Sequence, residues 1–303
     1  MSKRSIKLFI VTAILLQIIG SSAYAGIIPD SWMNSLVLIE TQDGGKYEPW
    51  ATGFFVNSSK SSKTVLVTNK HTFTENKKNL SLFIRVNKKD PRQNEESFER
   101  IKIISMKEPE LRPVKHEKAD LAALHVMVPH DIKRETIKFG EVRDSFFLAK
   151  DLVPIGDEIF LIGFPASIRY IKNLQKQHSI PVIRGGLISA KYKEADTDLF
   201  LIDAPSYWIN SGGPVFIRPS IHNVTGDPGF DIPPKSQDKP KLIGVVSAML
   251  PIGWEWDIGS KRIPGKKSIE EKEKIKSVWH SGLSIVVPID YLVQLIESLA
   301  KNE

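Results

Sequence analysis

Pro205-Ser206-Tyr207-Trp208-Ile209-Asn210-Ser211-Gly212-Gly213-Pro214-Val215 is the stretch that decides the fold. A serine followed by two glycines, a proline and a β-branched run suits a strained turn that holds a side chain at the lip of a strand. Glycine permits the tight turn and lets a second backbone approach closely. Ser-Gly-Gly alone also fits an ordinary turn. Its meaning depends on what the rest of the chain can set against it.

Working outward, the chain reads mainly as short β-branched or aliphatic runs bounded by Gly, Pro, Asn or charged residues. Expected strands cover residues 35–41, 51–57, 64–69, 80–86, 101–104, 121–126, 158–163 and 181–191, then 199–204, 213–217, 241–250 and 283–287. A dozen strands without regularly alternating helices point to a barrel or sandwich, away from a parallel α/β sheet. One helix is expected at the end. Asp290 is placed as an N-cap, and Leu292, Val293, Leu295, Ile296 and Leu299 recur at helical spacing as a packing face. Residues 218–239 and 253–281 read as loops, the second with helical character near 269–277.

Two further segments complete a constellation. Val65-Leu66-Val67-Thr68-Asn69-Lys70-His71 sets a histidine just past an apolar strand. His116-Glu117-Lys118-Ala119-Asp120-Leu121-Ala122-Ala123-Leu124 sets an aspartate at the mouth of another. A lone histidine is usually structural, and an aspartate before a strand is usually a turn residue. The order His, Asp, Ser makes the three specific together, because separations of 49 and 91 residues leave room for assembly across two barrels.

On these motifs the chain resembles the trypsin-like, chymotrypsin-fold serine proteases, and among them the bacterial HtrA-type catalytic domain, from about Ser35 to Leu299. Thr52-Gly53-Phe54 matches the family's Gly-x-Gly-Phe strand, Thr68 to Thr72 its Thr-x-x-His element, and Ala119 to Leu124 its Ala-Asp-Leu-Ala element. Ile162 to Pro165, Gly186 to Ala190, Leu242 to Ala248 and Ser284 to Ile289 match later family segments. The resemblance implies an all-β fold: two six-stranded antiparallel β-barrels, the active site between them, and a C-terminal α-helix. Expected boundaries are a signal peptide over 1–25, a barrel carrying His71 and Asp120 over 26–150, and a barrel carrying Ser211 plus the helix over 151–303. No PDZ-sized region follows, so the regulated, oligomeric architecture of full HtrA proteins is not expected to carry over.

The resemblance also implies a secreted serine endopeptidase acting through an acyl-enzyme. Ser211 attacks, His71 serves as general base and then acid, and Asp120 fixes the tautomer and stabilises the imidazolium. The oxyanion hole would use the amides of Ile209 and Ser211. Here the sequence departs, since the family usually has glycine where Ile209 stands, and a β-branched residue disfavours positive φ. The alternative is a catalytically weak or inactive protease-fold binding protein. Pro205, Ser247, Ala248 and Met249 are expected in the substrate pocket, with Ser247 also placed to bond Asp120. Pro205 stands where trypsin has a carboxylate, so cleavage after Lys or Arg is not indicated, and small or apolar side chains are expected instead. Gly26-Ile27-Ile28-Pro29 is a poor match to the family's activating N-terminus, so no zymogen switch is expected.

The bulk properties narrow the setting. Lys3, Arg4 and Lys7, an apolar run from Leu8 to Ile19, and Ala23-Tyr24-Ala25 have the layout of a secretory signal peptide. Export to a bacterial periplasm or the medium is expected, with no stable membrane span after cleavage. The absence of cysteine rules out disulfides and thiolate metal sites. His116, His125 and His130 form no His-Glu-x-x-His motif, so no metal and no cofactor are expected. A Gly-x-Ser-x-Gly elbow is absent because residue 209 is isoleucine, which disfavours an esterase. The net charge of +7 is spread over the chain. It reads as solvated surface, with weak polyanion or membrane-surface contact as the functional option. No basic–aromatic platform suggests nucleic acid. The expected partners are protein or peptide substrates.

Overall fold

The computed structural model describes residues 28, 30–58, 64–74, 81–89, 97–104, 113–129, 132, 137–139, 147–164, 180–206, 208–218, 240–257 and 274–301. The expected signal peptide and most of the 218–239 loop lie outside them. The body considered below runs from Ser31 onward. It is all-β apart from short turns and a C-terminal helix.

The first half forms an eight-stranded sheet. Its strands are β1 (Leu36–Asp43), β2 (Lys46–Ser58), β3 (Thr64–Thr68), β4 (Ser81–Asn87), β5 (Phe98–Ile104), β6 (Val114–Lys115), β7 (Ala122–Val126) and β8 (Ile137–Phe139). The order is β5-β4-β1-β2-β3-β7-β6, with β8 pairing β2 in parallel. The two short strands, β6 and β8, carry too few residues to show a periodic pattern in sequence. Val37, Ile39, Phe55, Leu66, Leu82, Ile84 and Leu124 meet in one core. Full burial of one such side chain contributes about 1.5–3 kcal/mol. Glu40 is buried beside this core, where Arg100 Nε donates to its carboxylate at 2.6 Å.

The second half is a closed barrel of β9 (Glu158–Gly163), β10 (Val182–Glu194), β11 (Thr197–Asp203), β12 (Pro214–Ile217), β13 (Lys241–Asp257) and β14 (Lys274–Pro288). Closure removes the free edges that an open sheet would expose. Its interior is filled by Ile159, Leu161, Ile188, Phe200, Ile202, Val215, Ile243 and Val286, among others.

Two expectations need correction. The stretch 253–281 was expected as loop with helical character near 269–277, yet β13 runs on to Asp257 and β14 begins at Lys274. The two pair Trp254 with Ser277 and Trp256 with Ile275. Charge-rich composition signals a loop, but a ladder satisfies backbone groups whatever the side chains carry. Asp290 was expected as the N-cap of the last helix. That helix, α1 (Ile289–Lys301), starts one residue earlier, and the Asp290 carboxylate accepts the Lys150 amide at 2.9 Å instead. The apolar stripe is a packing face as expected: Leu292, Leu295, Ile296 and Leu299 are all buried.

Candidate active site

His71 lies just beyond β3, at the start of a single helical turn (His71–Thr74). Asp120 lies at the end of a bend that feeds β7. The pairing of β3 with β7 brings the two strand ends side by side, Thr68 opposite Ala122. The contacts that follow are specific. His71 Nδ1 is 2.7 Å from Asp120 Oδ2, and the His71 backbone amide donates to Asp120 Oδ1 at 2.9 Å. The Ser247 hydroxyl donates to the same Oδ2 at 2.7 Å. Asn69 Nδ2 holds the Asp120 carbonyl at 2.9 Å. Both carboxylate oxygens thus accept from fixed donors.

These donors decide the state of the carboxyl. Burial acts to raise its pKa, but the His71 ring (by hydrogen bond and by charge), the Ser247 hydroxyl and the His71 amide outweigh it. The result lies below the ordinary value of 3.8. The sign for stability follows. A carboxyl with a lowered folded pKa stabilises the fold above its unfolded value, about 3.9, and that contribution is lost as pH falls through the folded value. We expect the stability gap between wild type and Asp120→Asn, from urea unfolding midpoints, to hold from neutrality to about pH 5 and shrink below about pH 4. A gap unchanged by pH would contradict the assigned contacts.

Ser211 sits on the turn that leads into β12. The two glycines after it are required by close approach. Gly212 has φ +88°, and a Cβ there would run into the Thr52 carbonyl and the Thr68 hydroxyl. A Cβ on Gly213 would strike the Ile162 carbonyl. The turn is tied down on every side. The Thr52 amide donates to the Ser211 carbonyl at 2.9 Å, and the Gly212 amide to the Val246 carbonyl at 2.8 Å. Val246 returns its own amide to the Gly213 carbonyl at 2.9 Å. Thr68 Oγ1 donates to the Thr52 carbonyl at 2.8 Å, which joins the serine turn to the segment carrying His71. Ser211 itself is buried.

Thr52 is the residue that sequence reasoning missed. Its hydroxyl donates to the Ile209 carbonyl at 2.6 Å and accepts the Phe164 amide at 3.2 Å. It thereby links β2 of the first sheet to two loops of the barrel. Thr52 was visible only as part of a matching motif, because its partner lies 157 residues away. No local pattern announces such a contact.

Ile209 is buried and belongs to a 3₁₀ turn, Trp208–Asn210. Among the described residues only Ala195 is a non-glycine with positive φ, so Ile209 avoids the strain its side chain would suffer there. A 3₁₀ turn directs each amide to the carbonyl three residues earlier.

The expected pocket residues fall on β13 and on the segment that follows β11. Ser247, Ala248 and Met249 are half-buried on β13, and Pro205 is exposed. Ser206 is buried and bonded to the Ser284 hydroxyl at 2.7 Å, and Ser284 also donates to the Ala204 carbonyl at 2.8 Å. Arg184 Nη1 donates to the Pro205 carbonyl at 3.2 Å. Neither serine of this pair was singled out in the sequence.

The fold and this site define the class. The family model described as a trypsin-like peptidase domain matches residues 51–219, more than half of the chain. The chain belongs to that family. Its fold is shared with a solved HtrA-type protease, AlgW in a serine-to-alanine variant with a decapeptide. That likeness has a TM-score of 0.50 and 12% identity, and covers 92% of this chain and 67% of the other. A search of curated proteins finds no match.

Proposed function

We propose that the protein is an exported serine endopeptidase that hydrolyses peptide bonds through an acyl-enzyme, with His71, Asp120 and Ser211 as its triad. The observation that carries this is the double hold on Asp120, by ring and backbone of His71, with Ser247 behind it. Such an arrangement keeps the imidazole proton on Nδ1 and leaves Nε2 as the base for an alcohol. Membership of a peptidase family supports the substrate class. The signal-like first 25 residues support export.

Fluorophosphonate labelling tests the proposal. Wild type is expected to be labelled on Ser211 and to cleave unstructured polypeptides, while Ser211→Ala takes no label. An unlabelled, inactive wild type would sink the protease assignment and favour the binding-protein alternative.

Ile209 bears on the level of activity. We infer that the 3₁₀ turn over Trp208–Asn210, with no positive φ at Ile209, has to reorient to aim the Ile209 amide at a substrate oxyanion. Glycine at 209 lowers the cost of the positive-φ state. Loss of one oxyanion donor costs roughly 10²–10³ in turnover. Ile209→Gly is therefore expected to raise kcat, by up to that factor where the closed turn dominates. A fall in kcat at unchanged stability would show that the turn works as it stands.

A further inference from the structure

The bend that delivers Asp120 is held by a histidine that is not part of the triad. His116 Nδ1 accepts the backbone amides of Lys118 at 3.2 Å and Ala119 at 3.0 Å. An Nδ1 that accepts has no proton, so the neutral ring carries its proton on Nε2. Nε2 lies 3.2 Å from Gln294 Oε1 on α1 and can donate to it. The ring also stands edge-on to Tyr291 of the same helix, with centroids 5.3 Å apart at 80°. Tyr291 is itself anchored, its hydroxyl accepting the Asp198 amide at 2.8 Å.

The backbone of the bend is closed by the same group of residues. The His116 amide donates to the Leu121 carbonyl at 2.9 Å. Lys70 Nζ donates to the carbonyls of His116 at 3.1 Å and Glu117 at 3.3 Å. Lys70 and Asn69 immediately precede His71, so both ends of the His71–Asp120 contact are braced by the 116–120 bend. An imidazole here does the work of an Asx side chain, accepting amides two and three residues on.

We propose, on the footing that His71, Asp120 and Ser211 are the triad, that His116 is a positioning residue, a latch whose unprotonated Nδ1 accepts two amides of the bend and so holds the triad aspartate in place. A second proton on the ring converts Nδ1 into a donor facing two donors. Both amides then lose their acceptor and the bend loosens beside Asp120.

Misplacement of a catalytic group by about 1 Å can cost roughly 10²-fold in rate. A loosened bend, still tied by Asn69 and Lys70, is expected to cost about 10-fold, within that ceiling. His116→Ala should therefore lower kcat by this factor at neutral pH with KM little changed. His116→Asn should restore kcat, since its side-chain carbonyl accepts the same amides and does not titrate.

An activity-independent readout separates this latch from the triad assignment. In wild type, nitrogen NMR of the His116 ring should show the Nε2–H form at neutral pH. Exchange of the Lys118 and Ala119 amides, compared at one pH, should be faster in His116→Ala than in wild type and slowed again in His116→Asn. A ring protonated on Nδ1 at neutral pH, or exchange at those amides identical in wild type and His116→Ala, would overturn the latch. So would a kcat in His116→Ala equal to that of an active wild type. An unlabelled, inactive wild type whose Lys118 and Ala119 amides still exchange more slowly than in His116→Ala would instead overturn the triad assignment and leave the imidazole holding the bend.

Discussion

Asp120→Asn is expected to lower kcat by about 10⁴-fold, the loss found when the aspartate of the trypsin template is replaced by asparagine. The geometry explains why so small a change would matter. Oδ1 accepts the His71 amide at 2.9 Å, while Oδ2 faces His71 Nδ1 and accepts the Ser247 hydroxyl, each at 2.7 Å. An asparagine has one oxygen for these two duties. If the oxygen stays with the backbone amide, the NH₂ faces Nδ1 and donates to it. The ring proton is then driven to Nε2, the nitrogen that accepts from Ser211 in the proposed triad. If the amide turns over, two N–H groups face each other at the backbone. The first arrangement removes the base with little change in shape, and the second breaks the backbone contact that places the His71 ring. Turnover of a peptide substrate, with KM followed separately, checks this. A loss under about 10-fold, far short of the 10⁴ of the template, would mean that Asp120 is not the orienting carboxylate.

Ser211→Ala should be more severe still, about 10⁶-fold in kcat, as in the subtilisin template, where the triad acts as a unit. Non-additivity makes the stronger test. Once the nucleophile is gone, a correctly oriented base has nothing to activate, so Ser211→Ala/Asp120→Asn should be no slower than Ser211→Ala alone. A multiplicative loss would separate the two residues functionally and break the triad. Both variants should fold. Ser211→Ala removes a hydroxyl but keeps the Ser211 carbonyl that accepts the Thr52 amide, and the glycines that follow are untouched.

The legibility of this site in sequence varied with the range of the contacts. The serine turn was readable because its demands are local. Gly212 and Gly213 are needed where backbone carbonyls of Thr52 and Ile162 would meet any Cβ, and glycine is the residue that permits this. The strands over 158–163 and 214–217 were readable from short apolar runs bounded by turn residues. The extension of β13 and β14 was not, since Glu, Lys and Trp mixed together look like a solvated loop until the two segments pair. In the sequence His116 stood out only as one of three nearby histidines without a metal-binding motif. Its hydrogen bonds are local and exposed in part, but its partner Gln294 lies 178 residues on.

By itself the sequence determined the all-β class, the family resemblance and the three residues worth testing. Periodic apolar runs, turn glycines and the order His, Asp, Ser are all written along the chain. Tertiary structure alone decided that His71 and Asp120 touch, that Thr52 stitches β2 to the serine turn, and that Ile209 lies in a 3₁₀ turn without positive φ. The physical reason is that these features depend on donors meeting acceptors across 49 to 157 residues. Side-chain type announces what a group can bond, and only the folded path of the chain sets which partner is within reach.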